Sequence, residues 1–423
     1  MGWEQWESTP ARKSVLFLSS IALVGLHVLA IRVTDFNNPY LPFAIAGAAV
    51  FYLRITSSHR EKLIWLASSA CFAGFVHFPK ADWVARSSSL LALFGFGAFL
   101  MLTLRVLWTA SNARRKALAP LAPAAAVVFF VFSAQRALSL ANLLYPKTYD
   151  IYLYVFDGSL GFQPSFLAGQ AMARSHALAV AAILTYVSLP FFMAVVYALR
   201  LPRDAESPSW DIITLLMLAG MGGWLLYNIV PATGPVFAFG ADFPHDSLPF
   251  HLLPRLALER MPVAAEIPRN AIPSLHMAWV LLLYWNLRSL SATFRILAAA
   301  YVALTVIATL GTGQHYFVDL VASMPFAIAI QAIVSPHEIV PVRVRLTTAG
   351  MGLGLTLAWL FLVRYATKLM LISPLVPWTL IIVSCIVVFI LQSHLSANST
   401  RATKAEIYPI EIPLGTPAAT VDK

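Results

Sequence analysis

At 423 residues, 59% of them hydrophobic and only 11% charged, the chain carries more apolar surface than a water-soluble core can hide, because soluble domains average about 25% charged residues. A soluble two- or three-domain protein is therefore excluded, and the bilayer has to be the solvent. The formal net charge of +10, from 29 Lys+Arg against 19 Asp+Glu, falls in short basic clusters between apolar runs, which is the pattern of positive-inside orientation and argues against a nucleic-acid partner.

From the N-terminus, Arg12 and Lys13 precede an apolar run with no small-residue cleavage site after it, so 15–33 reads as a retained first span and not a signal peptide. Further spans are expected at 40–55, 63–79, 88–108, 121–141, 178–199, 211–230, 273–290, 294–312, 314–335, 346–364 and 371–392, making the fold all-α, a polytopic membrane protein of about twelve transmembrane helices. Cys71 and Cys385 lie inside these runs without CxxC or metal-ligand spacing and read as small buried hydrophobes. Arg54, Arg60, Lys62, Arg114, Arg115, Lys116, Arg200, Arg203, Arg288, Arg295, Arg343 and Arg345 fall in alternate loops. That bias places both termini in the cytoplasm.

Two of the outer loops are longer than a hairpin needs. Residues 142–175 are rich in aromatics (Tyr145, Tyr149, Tyr152, Tyr154, Phe156, Phe162), as suits a segment at the headgroup level. Residues 231–272 are dense in proline and glycine and hold Arg255, Arg260 and Arg269. Long loops of this kind tend to carry function. The polar stretch 396–423 reads as a flexible tail. Its Asn398-Ser399-Thr400 sequon falls on the inner side, where it would go unused.

At the end of the second long loop the chain reads Arg269-Asn270-Ala271-Ile272-Pro273-Ser274-Leu275-His276. Proline favours the first turn of a helix, so Ser274 and His276 are expected at a helix N-terminus, whose free N–H groups and positive dipole end suit an anion. Arg269 adds a fork of donors just upstream. Further on, His315 and Asp319 stand four apart on one helix face, and Asp319 is the one acidic residue between Glu266 and Glu338. An ionisable group in a span costs about 2.5–3.5 kcal/mol on insertion scales and is usually paired and functional. The carboxylate is suited to fixing the imidazole tautomer. The span from Pro273 runs inward and the next runs outward, which puts His276 and His315 at the same outer face.

Two histidines and a carboxylate fit either a two-His-one-carboxylate metal site or phosphoryl transfer through a histidine nucleophile. A positive helix end and Arg269 would repel a metal and attract phosphate, so phosphate is preferred. A secondary transporter also has many spans and an intramembrane acid, but its ionisable cluster belongs at the midplane. The remaining histidines, among them His59, His245 and His251, have no evident partner and read as structural.

These segments resemble the type 2 phosphatidic acid phosphatase superfamily. Pro273, Ser274 and His276 match its Pro-Ser-x-His motif, and His315 and Asp319 match the end of its third motif. The wording Pro-Ser-Leu-His with His-Tyr-Phe-Val-Asp-Leu, together with Tyr227-Asn228-Ile229-Val230-Pro231-Ala232-Thr233-Gly234-Pro235, is most similar to the inositol phosphorylceramide synthase branch. The resemblance covers roughly 125–335. It implies a six-helix catalytic core at 121–335, with 1–120 a four-helix membrane region before it, 336–395 a two-helix region after it and 396–423 the tail. It further implies His315 as nucleophile, Asp319 as its orienting partner and His276 as acid and base. Arg269, Asn270, Ser274 and backbone N–H groups would bind substrate, with no metal or cofactor. The implied partners are a phospholipid donor and a lipid acceptor such as ceramide. Ala308 and Thr309 stand where the phosphatases have Ser-Arg, and the first-motif lysine is not evident. Two cationic contacts are thus missing, which suits a singly charged phosphodiester and favours a head-group transferase over a phosphatase using the same three residues.

Overall fold

A computed structural model of the chain describes residues 38–55, 58–75, 83–110, 114–200, 211–288, 291–336 and 340–407. The expected span at 15–33 and residues 408–423 of the expected tail lie outside the described residues. The helices of nine residues or more are α1 (Leu41–Ile55), α2 (His59–Phe75), α3 (Trp83–Trp108), α4 (Arg114–Leu144), α5 (Asp150–Gly158), α6 (Pro164–Arg174), α7 (His176–Val187), α8 (Leu189–Arg200), α9 (Asp211–Tyr227), α10 (Leu275–Leu287), α11 (Ala292–Gly311), α12 (Phe317–Val334), α13 (Val342–Tyr365) and α14 (Leu375–Ile407). The one departure from all-α among the described residues is a two-residue antiparallel pair, β1 (Lys147–Thr148) with β2 (Met261–Pro262), which pins the two long loops together.

Among the described residues, six helices are long and apolar enough to cross a membrane, in α3, α4, α11, α12, α13 and α14, or seven if the bent pair α6–α7 counts as one. This is compatible with an integral membrane protein. It is fewer than the twelve expected, for identifiable reasons. Helices α1, α8, α9 and α10 are apolar but of 12 to 17 residues, short of the roughly 20 that a straight span needs. The expected span 178–199 is broken at Ser188, with Pro190 in the first turn of α8. The loop 142–175 is not a loop: it folds into α5 and α6, and α6 turns through 120° into α7 at Ser175, whose Oγ accepts the Leu178 N–H at 3.3 Å. The polar segment from 396 remains helical to Ile407.

Packing makes α12 the central helix. In its span 72% of residues are buried, against 33–39% in the other five. The side chains left outward on those five are large and apolar, such as Leu346, Ile382 and Phe389, as a lipid-facing surface requires. Contact between helix backbones depends on small residues: a Cβ at Gly95 would lie 2.1 Å from the Ile45 carbonyl oxygen, so α3 and α1 meet where only glycine fits. At the end of the bundle away from His276, arginines cap helix C-termini. Arg200 donates to the Asn286 carbonyl (3.1 and 2.7 Å), and Arg345 to those of Ala332 and Ile333 (3.3 and 2.6 Å). Carbonyls that would otherwise be unpaired are satisfied there by positive charge.

Candidate active site

Three chain segments meet at one end of the bundle: 231–236, 269–276 and 309–319. They are joined by main-chain bonds from Ala271 N–H to the Ala232 carbonyl (3.0 Å), Val236 N–H to Gly313 (3.0 Å) and Ser274 N–H to Asp319 (3.1 Å). Gly234 sits at φ +107, and a Cβ there would be 2.4 Å from the Gln314 carbonyl oxygen, so the turn needs glycine on both counts.

The clamp around these segments comes from α5, whose acids the sequence reading passed over. Asp157 accepts the N–H groups of Phe317 (2.6 Å) and Val318 (3.0 Å) at the start of α12. Asp150 accepts those of Thr233 (3.1 Å) and Gly234 (2.9 Å), and the hydroxyl of Tyr316 (3.1 Å). Burial pushes both carboxyls above the usual carboxylate range, and these hydrogen bonds pull them back toward it. The signal was available: two aspartates seven apart in the apolar run Asp150-Ile-Tyr-Leu-Tyr-Val-Phe-Asp157 share one helix face.

His315 is thereby fixed on every side. Its N–H donates to the Thr309 carbonyl (3.2 Å), and its own carbonyl accepts the Ser165 hydroxyl (2.9 Å). Its Nδ1 lies 2.8 Å from the Ala271 carbonyl oxygen. A carbonyl only accepts, so Nδ1 carries the proton and the Nε2 lone pair is left for chemistry. Burial depresses the imidazole to about 4, with the Ala271 bond opposing, so the ring is neutral at pH 7. Asp319 was expected to set this tautomer; its Oδ2 stands 3.4 Å from Nδ1 and takes its shorter bond from the Tyr316 N–H (2.7 Å). The Ala271 carbonyl is the closer partner, and Asp319 supports the ring from behind.

His276 stands in the first turn of α10, its ring centroid 6.2 Å from that of His315. Among the described residues, none hydrogen-bonds to its imidazole. Instead it stacks on Tyr186 (3.8 Å, 14°) and contacts Tyr40 (5.6 Å) and Trp279 (6.2 Å). The two histidines that helix direction was expected to bring to one face are therefore neighbours.

Three expected substrate contacts fare differently. Pro273 lies outside the helix, and Ser274 is the N-cap, fully buried, with its oxygen accepting the Met277 N–H (3.4 Å). It shapes the helix start. Arg269 is a correction. Its side chain is 1% exposed and donates to the carbonyls of Tyr145 (3.0 Å), Ala264 (2.8 Å), Val263 (2.9 Å) and Ile267. Buried cations need such acceptors; this one staples the loop, with four of its five N–H donors engaged by carbonyls. Asn270 is half-buried and its amide makes no hydrogen bond. Arg255 is exposed, and Arg260 lies over the Tyr149 ring (5.8 Å). Among the described residues, no lysine or arginine is hydrogen-bonded or ion-paired to either imidazole or to the Asp319 carboxylate. At the start of α10 the His276 N–H has no acceptor, and the Leu275 N–H meets the Tyr227 hydroxyl. Of the other histidines, His59, His245 and His251 are exposed.

Residues 151–333 match the family model described as PAP2 superfamily. No curated protein and no solved structure matches the chain. The matched stretch begins in α5 and ends one residue short of the end of α12, so it contains every residue of the site except Asp150 and Tyr40. It suggests phosphatase or phosphotransferase activity on lipid phosphates.

Proposed function

We propose that the protein is a lipid phosphotransferase, of the inositol phosphorylceramide synthase-like branch, that moves a phosphorylated head group from a glycerophospholipid to a lipid hydroxyl such as that of ceramide. The site faces the extracytoplasmic side and both termini the cytoplasm. The observation that carries this reading is the unequal pair of imidazoles: His315 with its proton fixed on Nδ1, and His276 beside it with no hydrogen bond to its ring nitrogens.

His315 Nε2 attacks phosphorus, and the phosphorus–oxygen bond to diacylglycerol breaks. The protonated His276 gives its proton to the leaving oxygen. The head-group phosphate is then carried as a phosphoramidate on His315. The neutral His276 takes the proton of the acceptor hydroxyl, whose oxygen attacks phosphorus; the phosphorus–nitrogen bond breaks and His315 is restored. Asn270 and the His276 N–H in the first turn of α10 are the candidate contacts for phosphate oxygens.

That no lysine or arginine among the described residues pairs with either imidazole supports a diester donor. A phosphate monoester carries about −1.5 to −2 at neutral pH and a diester only about −1, so a site of neutral donors suits the diester. Product analysis by mass spectrometry of purified protein, given a phospholipid with and without ceramide, tests this. A ceramide-linked head group with diacylglycerol is expected. Inorganic phosphate from a monoester, with no lipid-linked product, would make the protein a phosphatase using the same residues with water as acceptor.

A further inference from the structure

The matched stretch 151–333 leaves α1 outside it, yet the residue just before α1 reaches the candidate site. Asn38 builds the turn: its carbonyl accepts the Leu41 N–H (3.3 Å), and its side chain the Tyr40 N–H (3.1 Å). Two residues after the turn ends, Phe43 buries itself among Met172, Ala182, Tyr186, Val187 and Ala308. A Cβ at Gly47 would be 2.8 Å from that of Ala194, so α1 also seats closely on α8. Tyr40 is thus held at a fixed position by packing that begins outside the matched stretch.

Its ring meets both members of a stack. The Tyr40 centroid is 5.6 Å from His276 and 5.9 Å from Tyr186, tilted to each by 44° and 51°, while Tyr186 lies flat on His276. Trp279 closes the far edge at 73°, its own Nε1 tied to the Leu216 carbonyl at 2.9 Å. Because no hydrogen bond orients His276, these rings are what sets the plane of its imidazole. A hydrogen bond would occupy one of the two nitrogens; aromatic packing leaves both for substrate.

We propose that Tyr40 is a positioning residue for the reaction, reaching in from α1 to hold, with Tyr186, the His276 imidazole in the plane from which it exchanges protons with the leaving and entering oxygens. This rests on the acid–base role given to His276 above. Proton transfer needs donor and acceptor within hydrogen-bond reach and in line, so a loosened ring lowers kcat more than it raises KM.

The test uses the full-length purified protein and the phospholipid and ceramide assay, with Tyr40→Leu, Tyr40→Phe and Leu53→Ala, the last on the exposed side of the same helix, and with His315→Ala alongside. Tyr40→Leu is expected to lower kcat about 10- to 100-fold with KM within about threefold. It also moves the limb of the kcat–pH profile contributed by His276 upward, because water reaches a ring whose titration burial holds down. Tyr40→Phe, which keeps the ring and loses only the hydroxyl contact to Tyr186, stays within about threefold of wild type, and Leu53→Ala is unchanged. If Tyr40→Leu does not accumulate, Tyr40→Met fills the volume without a ring and takes its place. A ringless variant with wild-type kcat and pH profile overturns the proposal, as does an equal loss in Tyr40→Phe, or a loss with the profile unmoved. Full activity in His315→Ala would instead overturn the functional reading itself, so the two failures are separate.

Discussion

The two histidines of the site are held by opposite means. His315 is bound through its N–H, its carbonyl and its Nδ1, and the peptide groups just after it are gripped by Asp157. His276 has ring contacts and no hydrogen bond. A nucleophile must present one nitrogen with a defined lone pair, so its tautomer has to be fixed. An acid–base group has to take up and release a proton, so its nitrogens have to stay free. Within one site, hydrogen bonding and aromatic packing are divided as the proposed roles of the two imidazoles require.

That contrast can be broken in order of expected effect. His315→Ala removes the nucleophile and should lower turnover by at least about 10³-fold in the lipid assay, since loss of a covalent nucleophile is not compensated by its partners. Asp157→Asn should come next. The amide places an N–H₂ or a weaker carbonyl against the Phe317 and Val318 N–H groups, costing about 1–3 kcal/mol, read as a lower unfolding temperature in detergent, with kcat down about tenfold or more because the His315 segment loosens. Arg269→Gln separates staple from ligand. A staple loses stability, by about 2–4 kcal/mol for a buried charge-assisted cluster, with KM of the surviving enzyme little changed; a phosphate ligand would raise KM at constant stability. The smallest effect is in pH. With His315 depressed to about 4 by burial, the neutral nucleophile persists down to that pH. Its acidic limb should fall near 4 in the kcat/KM profile, well below the usual histidine range; a limb near 6.5 would mean a solvated ring.

The sequence made some of this legible and hid the rest. His276, His315 and Asp319 were found from motif spacing, and helix direction alone placed the histidines at one end. Their supports were hidden because charge says nothing about partner. Arg269 looked like a phosphate ligand from composition, but its carbonyl partners Tyr145 and Val263 belong to segments that approach only in the fold. Asp150 and Asp157 lay in a stretch whose aromatics suggested an interfacial loop, although their seven-residue spacing was a helix signal. Ala271 could not have been found at all, because a backbone carbonyl leaves no mark in a sequence. Tyr40 opens the expected span 40–55, with nothing in the sequence to indicate contact with His276. Among the described residues fewer helices than expected are long enough to cross straight, because hydropathy does not register breaks such as Ser188 or helices as short as α8 and α10.

The most direct measurement is to trap and map the covalent intermediate. Purified protein is mixed with a phospholipid donor in the absence of acceptor, quenched under alkaline conditions and digested, and the peptides are analysed by mass spectrometry. The account predicts an adduct with the mass of the phosphorylated head group on His315, lost when acceptor is added and absent from His315→Ala. An adduct on another residue, or turnover with no adduct under conditions that preserve phosphoramidates, would contradict it.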